Sequence, residues 1–170
     1  MRIALGTDHG GFEAKNQLVN NLLEAGHDPV DYGTYSCDST DYPIFANRVA
    51  QAVSTGVVDV GVILCRSGIG MSIVANRLPG VRAALALNLE LVRLCRTHNN
   101  ANILVLGAEH LDASIQEMVE TFLETPFEGG RHARRVDLIG ELDDMRRSAL
   151  FADQAAAASM GLWVDATDSA

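Results

Sequence analysis

Apolar residues along this chain alternate between two spacings: short continuous runs, and stripes that recur every three to four positions. A continuous run bounded by turn formers suits a strand buried on both faces, and a stripe suits a helix with one covered face. Runs at residues 2–7, 28–32, 57–64, 81–87 and 102–106 predict five strands. The most apolar is Val60 to Leu64, interrupted only by Gly61. Between the first two strands, Leu18, Val19, Leu22 and Leu23 form a stripe that predicts a helix over 12–25, closed by Gly26. Further helices are predicted over 44–54 with Pro43 near the start, 69–77 ended by Pro79-Gly80, 89–97, and 112–123 with Asp112 as N-cap. A charged helix over 132–151 follows a loop containing Gly129 and Gly130.

Strands that alternate with helices imply a parallel sheet covered on both faces. The expected fold is α/β: a Rossmann-like three-layer α/β/α domain over 1–151 with a five-stranded parallel sheet, plus the C-terminal helix. Residues 152–170 form an Ala-rich tail. It can be a frayed helix, a disordered end or a segment that docks on a partner subunit, and the apolar knot of Met160, Leu162, Trp163 and Val164 favours the last.

Charge changes this picture by exclusion. A formal net charge of −9 offers no basic face for nucleic acid, although an anionic ligand could still be met by local arginines. No stretch reaches the roughly 18 apolar residues of a membrane span. No secretory leader is recognisable, and three scattered cysteines make no disulfide framework, so a cytoplasmic protein with reduced thiols is expected.

Candidate chemistry gathers at strand ends. Cys65-Arg66-Ser67-Gly68-Ile69-Gly70 places a thiol beside a glycine turn that opens a helix, at the sheet edge where α/β folds bind ligands. The turn's backbone N–H groups favour an anion and would lower the thiol pKa. It lacks the third glycine of a dinucleotide fingerprint and the Lys-Ser/Thr of a P-loop, so it can equally be a tight connection. Asp8-His9 ends the first strand and reaches the same edge; Asp8 can also be only a helix cap. His98-Asn99 closes a helix or offers a general acid. Arg131 and Arg135 share a helix face with His132 between them, a solvated surface or a phosphate grip. Cys37 and Cys95 are read as structural.

Together these stretches resemble the ribose-5-phosphate isomerase B family, which includes the subunits of galactose-6-phosphate isomerase. The resemblance rests on GTDHGGFEAK, Asp41-Tyr42-Pro43, Cys65 with Ser67 through Ile73, His98-Asn99-Asn100-Ala101-Asn102, and Gly129-Gly130-Arg131-His132 with Arg135, in order over residues 1–140. It implies an aldose–ketose isomerase of a sugar phosphate that works through an enediol, without metal or cofactor, as a homodimer with shared sites. By position, Cys65 would be the base and Ser67 would stand where the family usually has Thr. Asp8 and His98 would open the sugar ring. The amides of Ser67, Gly68, Ile69 and Gly70 would hold the enediolate. Asn99 would bind a hydroxyl, and His9, Arg131 and Arg135 the phosphate.

Two positions depart from the pattern: Arg66 stands where glycine is common, and Glu109 where ribose-phosphate enzymes usually carry arginine. Arg66 is therefore expected to bind substrate in place of the missing cation, or the substrate is a tetrose or hexose phosphate. A sugar-phosphate binder without catalysis is the rival from another class, and retention of Cys65, Ser67, His98 and Asp8 together speaks against it.

Overall fold

The computed structural model describes residues 1–159. Its strands β1 (Arg2–Thr7), β2 (Asp28–Asp31), β3 (Val60–Cys65), β4 (Ala83–Ala86) and β5 (Ile103–Gly107) form one parallel sheet in the order β2-β1-β3-β5-β4. β3 sits in the centre, paired with β1 (Ile3 opposite Val60) and with β5 (Gly61 opposite Ile103). All six of its residues are buried, as its uninterrupted apolar run requires. The expected three-layer α/β/α architecture is the observed one.

Side-chain alternation along the strands builds two cores. On one face Ile3, Leu5, Val62, Leu64, Leu104 and Leu106 meet Leu18 and Leu22 of α1 (Phe12–Glu24), Val92 and Cys95 of α4 (Leu89–Thr97), and Met118 and Phe122 of α5 (Ile115–Glu124). On the other, Ala4, Ile63, Cys65, Ile103 and Val105 meet Val49 and Val53 of α2 (Tyr42–Ser54) and Met71 of α3 (Ile69–Ala75). α2 lies close to the sheet because Gly6 and Gly61 face it. A Cβ on either would stand 2.7 Å from a Val49 methyl.

Some boundaries differ from expectation, each for a local reason. β3 starts at Val60, not at residue 57. Gly56 (φ +70) turns the chain, and the Asp59 side chain accepts the Arg2 N–H at 2.7 Å, so residues 57–59 form the approach to the strand. α5 starts at Ile115, not at 112: Ser114 caps it by accepting the Glu117 N–H at 3.1 Å, while the Asp112 N–H goes to the Leu87 carbonyl. α6 (Arg131–Ser159) passes through the expected end at 151. The apolar knot at Met160 to Val164 lies outside the described residues. Among the described residues, no helix is long and apolar enough to cross a membrane.

Candidate active site

Cys65 is the last residue of β3 and is 7% exposed. Gly68 adopts φ +75, a left-handed conformation open to glycine without strain, and this turns its N–H onto Cys65 Sγ at 3.0 Å. Burial raises the thiol pKa; the Gly68 amide opposes it, the Asp8 charge adds to it, and the Ser67 and Met71 amides oppose it more weakly. The lowered thiol pKa expected from the helix start is thereby corrected: desolvation outweighs the amides. The first bond within α3 runs from the Ser72 N–H to the Gly68 carbonyl, which leaves the amides of Ile69, Gly70 and Met71 without helical partners. The Ile69 N–H leans on Ser67 Oγ at 3.4 Å.

The neighbouring strand end completes this cleft of about 380 Å³, lined by Asp8, His9, Tyr42, Cys65, Arg66, Ser67 and Gly70. Asp8 does cap the short turn His9–Gly11, accepting the Gly10 N–H at 3.0 Å. Capping and lining the cleft are compatible, since one carboxylate oxygen remains. The Thr40 N–H donates to His9 Nδ1 at 3.3 Å, so the neutral ring carries its proton on Nε2. Thr7 Oγ1 donates to the Leu64 carbonyl at 2.8 Å and ties the two strand ends together.

Two residues that shape this region, one lining the cleft and one anchoring a loop beside it, escaped assignment from the sequence. Tyr42 lines the cleft and packs on Gly70, where a Cβ would stand 2.6 Å from the ring. Its only signal was membership of the Asp41-Tyr42-Pro43 stretch, read as a helix start. Lys15 is fully buried and ion-paired with Asp31, whose other oxygen accepts the Gly33 N–H at 2.8 Å. Lys15 thus anchors the loop that brings Thr40 to His9, a role that spacing in a helical stripe does not reveal.

His98, Asn99 and Arg135 line a different cavity of about 220 Å³ with His132, Val136 and Ile139. The His98 and His132 rings stack at 4.2 Å and 5°. Arg131 Nε donates to His132 Nε2 at 3.3 Å. Burial holds the His132 pKa below its ordinary value, with His98 and Arg131 pushing the same way and Glu128 against them. The turn that presents His98 is fixed by Asn100 at φ +46. Arg82 Nε holds the Asn100 carbonyl at 2.9 Å, and Arg96 Nη1 holds the Ala101 carbonyl at 2.6 Å.

His98, Glu128 and His132 have the composition of a metal site, with ligand atoms within 4.8 Å of one another. Stacked rings send their in-plane lone pairs along parallel planes, however, so the two imidazoles do not converge on one ion.

Within one chain the candidate residues fall into two groups. Asp8, His9, Cys65, Arg66, Ser67, Gly68, Ile69 and Gly70 lie at the carboxyl ends of β1 and β3. His98 and Asn99 precede β5, at the amino ends of the strands, and Arg131, His132 and Arg135 gather there because the Glu128 N–H bonds the Thr97 carbonyl at 3.1 Å. Among the described residues, none lines both cavities. The two unusual positions, by contrast, meet: Arg66 Nε lies 3.3 Å from Glu109 Oε1.

Known proteins share this fold. The chain is 40% identical over 146 residues to ribose-5-phosphate isomerase B of Escherichia coli K12, covering 85% of this chain and 98% of that one. Ribose-5-phosphate isomerase B of Clostridium thermocellum superposes with a TM-score of 0.82 at 42% identity, over 86% of this chain and 99% of that one. The Mycoplasma genitalium enzyme with bound ribulose 5-phosphate does so at 0.81 and 36%, over 84% and 96%. A family model described as Ribose/Galactose Isomerase matches residues 3–139, and with this sheet, these strand ends and these relatives the chain belongs to that family.

Proposed function

We propose that this chain interconverts an aldose phosphate and a ketose phosphate, ribose 5-phosphate and ribulose 5-phosphate first among them, as a homodimer whose two sites are shared. The carrying observation is the division of the candidate groups between opposite edges of one sheet. Isomerisation needs a base, ring-opening acids and a phosphate grip around one small molecule. In a single chain these stand apart, and a second copy can set the His98 edge against the Cys65 edge. Exposed apolar side chains on both sides, Ile69 and Ile73 on α3 and Leu138, Leu142 and Met145 on α6, suit such a contact. Three free cysteines suit a reducing cytoplasm.

In this reading the Cys65 thiolate, held by the Gly68 amide, takes the proton from C2 and returns it as a thiol to C1. The amides of Ile69 and Gly70, which have no helical partners, receive the enediolate oxygen, each donor contributing roughly 3–4 kcal/mol in sites of this type. Ser67 supplies a hydroxyl beside the same oxygens. Asp8 and His98 of the partner subunit open the ring, and Asn99 of the partner subunit binds a hydroxyl. His9 donates its Nε2 proton to the phosphate, together with Arg131 and Arg135 of the partner subunit.

Mixing two inactive variants tests the sharing. A heterodimer of C65A and H98A has one doubly damaged site and one intact site. An equal mixture after subunit exchange should therefore recover about a quarter of wild-type activity. No recovery would show that each chain builds its own site. Wild-type protein inactive on ribose 5-phosphate but active on a tetrose or hexose phosphate would move the substrate, the direction in which the Arg66–Glu109 pair points.

A further inference from the structure

Among the described residues, Arg66 is the one arginine or lysine lining the Cys65 cleft. Its stem lies across Gly10, where a Cβ would stand 3.1 Å from Arg66 Cγ, so glycine leaves its path open. Glu109 sits on the segment strapped to the thiol turn: the Ala108 N–H donates to the Cys65 carbonyl at 2.9 Å and the Glu109 N–H to the Arg66 carbonyl at 3.2 Å. The carboxylate is thus carried on the backbone that carries the guanidinium, and it meets Nε at 3.3 Å.

The pair is too exposed, at 71% and 57%, to contribute much to folding. Its effect is orientation. The guanidinium meets Glu109 at Nε, one corner of its planar fork, and the Nη groups make no ion pair among the described residues. A planar cation held this way presents a second donor edge suited to two oxygens of one oxyanion. Asp8 in the cleft and Glu109 beside its mouth both repel a phosphate dianion, and Arg66 is the cation that this chain itself sets against them.

We infer that Arg66 and Glu109 form one recognition unit: Arg66 binds the phosphate of the incoming sugar phosphate at the mouth of the Cys65 cleft, and Glu109 is its positioning residue. This rests on the isomerase reading for its substrate and on the geometry above for its ligand class, a phosphate monoester. It adds Glu109 to the residues that set substrate preference and assigns a cation from the Cys65 side of the site.

The test uses the whole chain in its native assembly and the variants R66A, R66K, E109Q, E109D and R66A/E109Q. KM and kcat are measured with ribose 5-phosphate and erythrose 4-phosphate, and inorganic phosphate serves as competitive inhibitor. R66A should raise KM and the phosphate Ki together, about tenfold or more, with kcat within about threefold. E109Q should raise both severalfold, E109D should restore them, and E109Q should raise neither in the R66A background. An unchanged phosphate Ki in R66A overturns the assignment, whether or not KM moves. Calorimetric titration of wild type and R66A with phosphate reads the same contact without turnover. Wild type that binds phosphate through Arg66 yet isomerises no sugar phosphate would refute the isomerase reading and leave this one standing.

Discussion

Gly68→Ala is the sharpest single perturbation of the thiol turn, and Gly26→Ala is its control. Both glycines have left-handed φ, +75 and +79, but a Cβ at residue 26 meets nothing within 4 Å. At residue 68 it would stand 2.4 Å from Leu85 Cδ1 and 3.3 Å from backbone atoms of Leu106 and Gly107. The Leu85 methyl can move; the β5 backbone, in mid-sheet, cannot. Gly26→Ala should cost about 1 kcal/mol, the left-handed penalty less the entropy it removes from the unfolded chain. Gly68→Ala adds an overpacking cost of about 1–3 kcal/mol. At roughly 2–4 °C per kcal/mol, Gly68→Ala should lower Tm several degrees further than Gly26→Ala, at one fixed protomer concentration. Displacing the turn also moves the amide from Sγ at 3.0 Å, so the thiolate loses its donor. The alkaline rise of kcat/KM should shift to higher pH, with activity near neutrality down about tenfold. Equal destabilisation by the two substitutions would refute the close packing of the turn. An unmoved pH profile would refute the role of the Gly68 amide.

Two further outcomes follow from the same geometry. Burial and the Asp8 charge raise the Cys65 pKa, and the proposed reaction uses its thiolate as the base, so wild-type kcat/KM should climb with pH through a value above that of an ordinary thiol. Asp8→Asn removes one raising influence and should move that limb to lower pH, as a pH–rate profile would reveal. Arg96 donates to the carbonyls of Thr125 and Ala101 and to Asn100 Oδ1, and its guanidinium lies 5.2 Å from the Phe122 ring centroid. Arg96→Ala should cost about 2–4 kcal/mol in urea unfolding and lower kcat through the loosened His98 turn. Arg96→Lys should rescue little, because an ammonium cannot span those acceptors.

Much of the architecture was legible because it follows from local chemistry. The run from Val60 to Leu64 is a central strand in any fold that buries it, and Gly26, Gly56 and Pro43 mark element ends by their backbone preferences. The Cys65 and Asp8 groups were also legible as neighbours, since both follow adjacent parallel strands and must emerge at one edge. Where capping competed, sequence reasoning chose wrongly: Asp112 and Ser114 are both good caps, and the Ser114–Glu117 pairing decided between them.

Tertiary structure decided what depends on residues distant along the chain. The thiol pKa is set by how deeply β3 is buried, which a turn motif does not encode. Lys15 acts on His9 only through Asp31, Gly33 and the loop to Thr40. Arg66 and Glu109, two separate oddities along the sequence, become one ion pair because β5 delivers Glu109 beside the end of β3. The order of residues alone sets which chemical groups this protein owns and which strand ends carry them. Only the packed sheet, by returning the chain through each helix to the amino ends of the strands, set the Cys65 group and the His98 group at opposite ends of the strands.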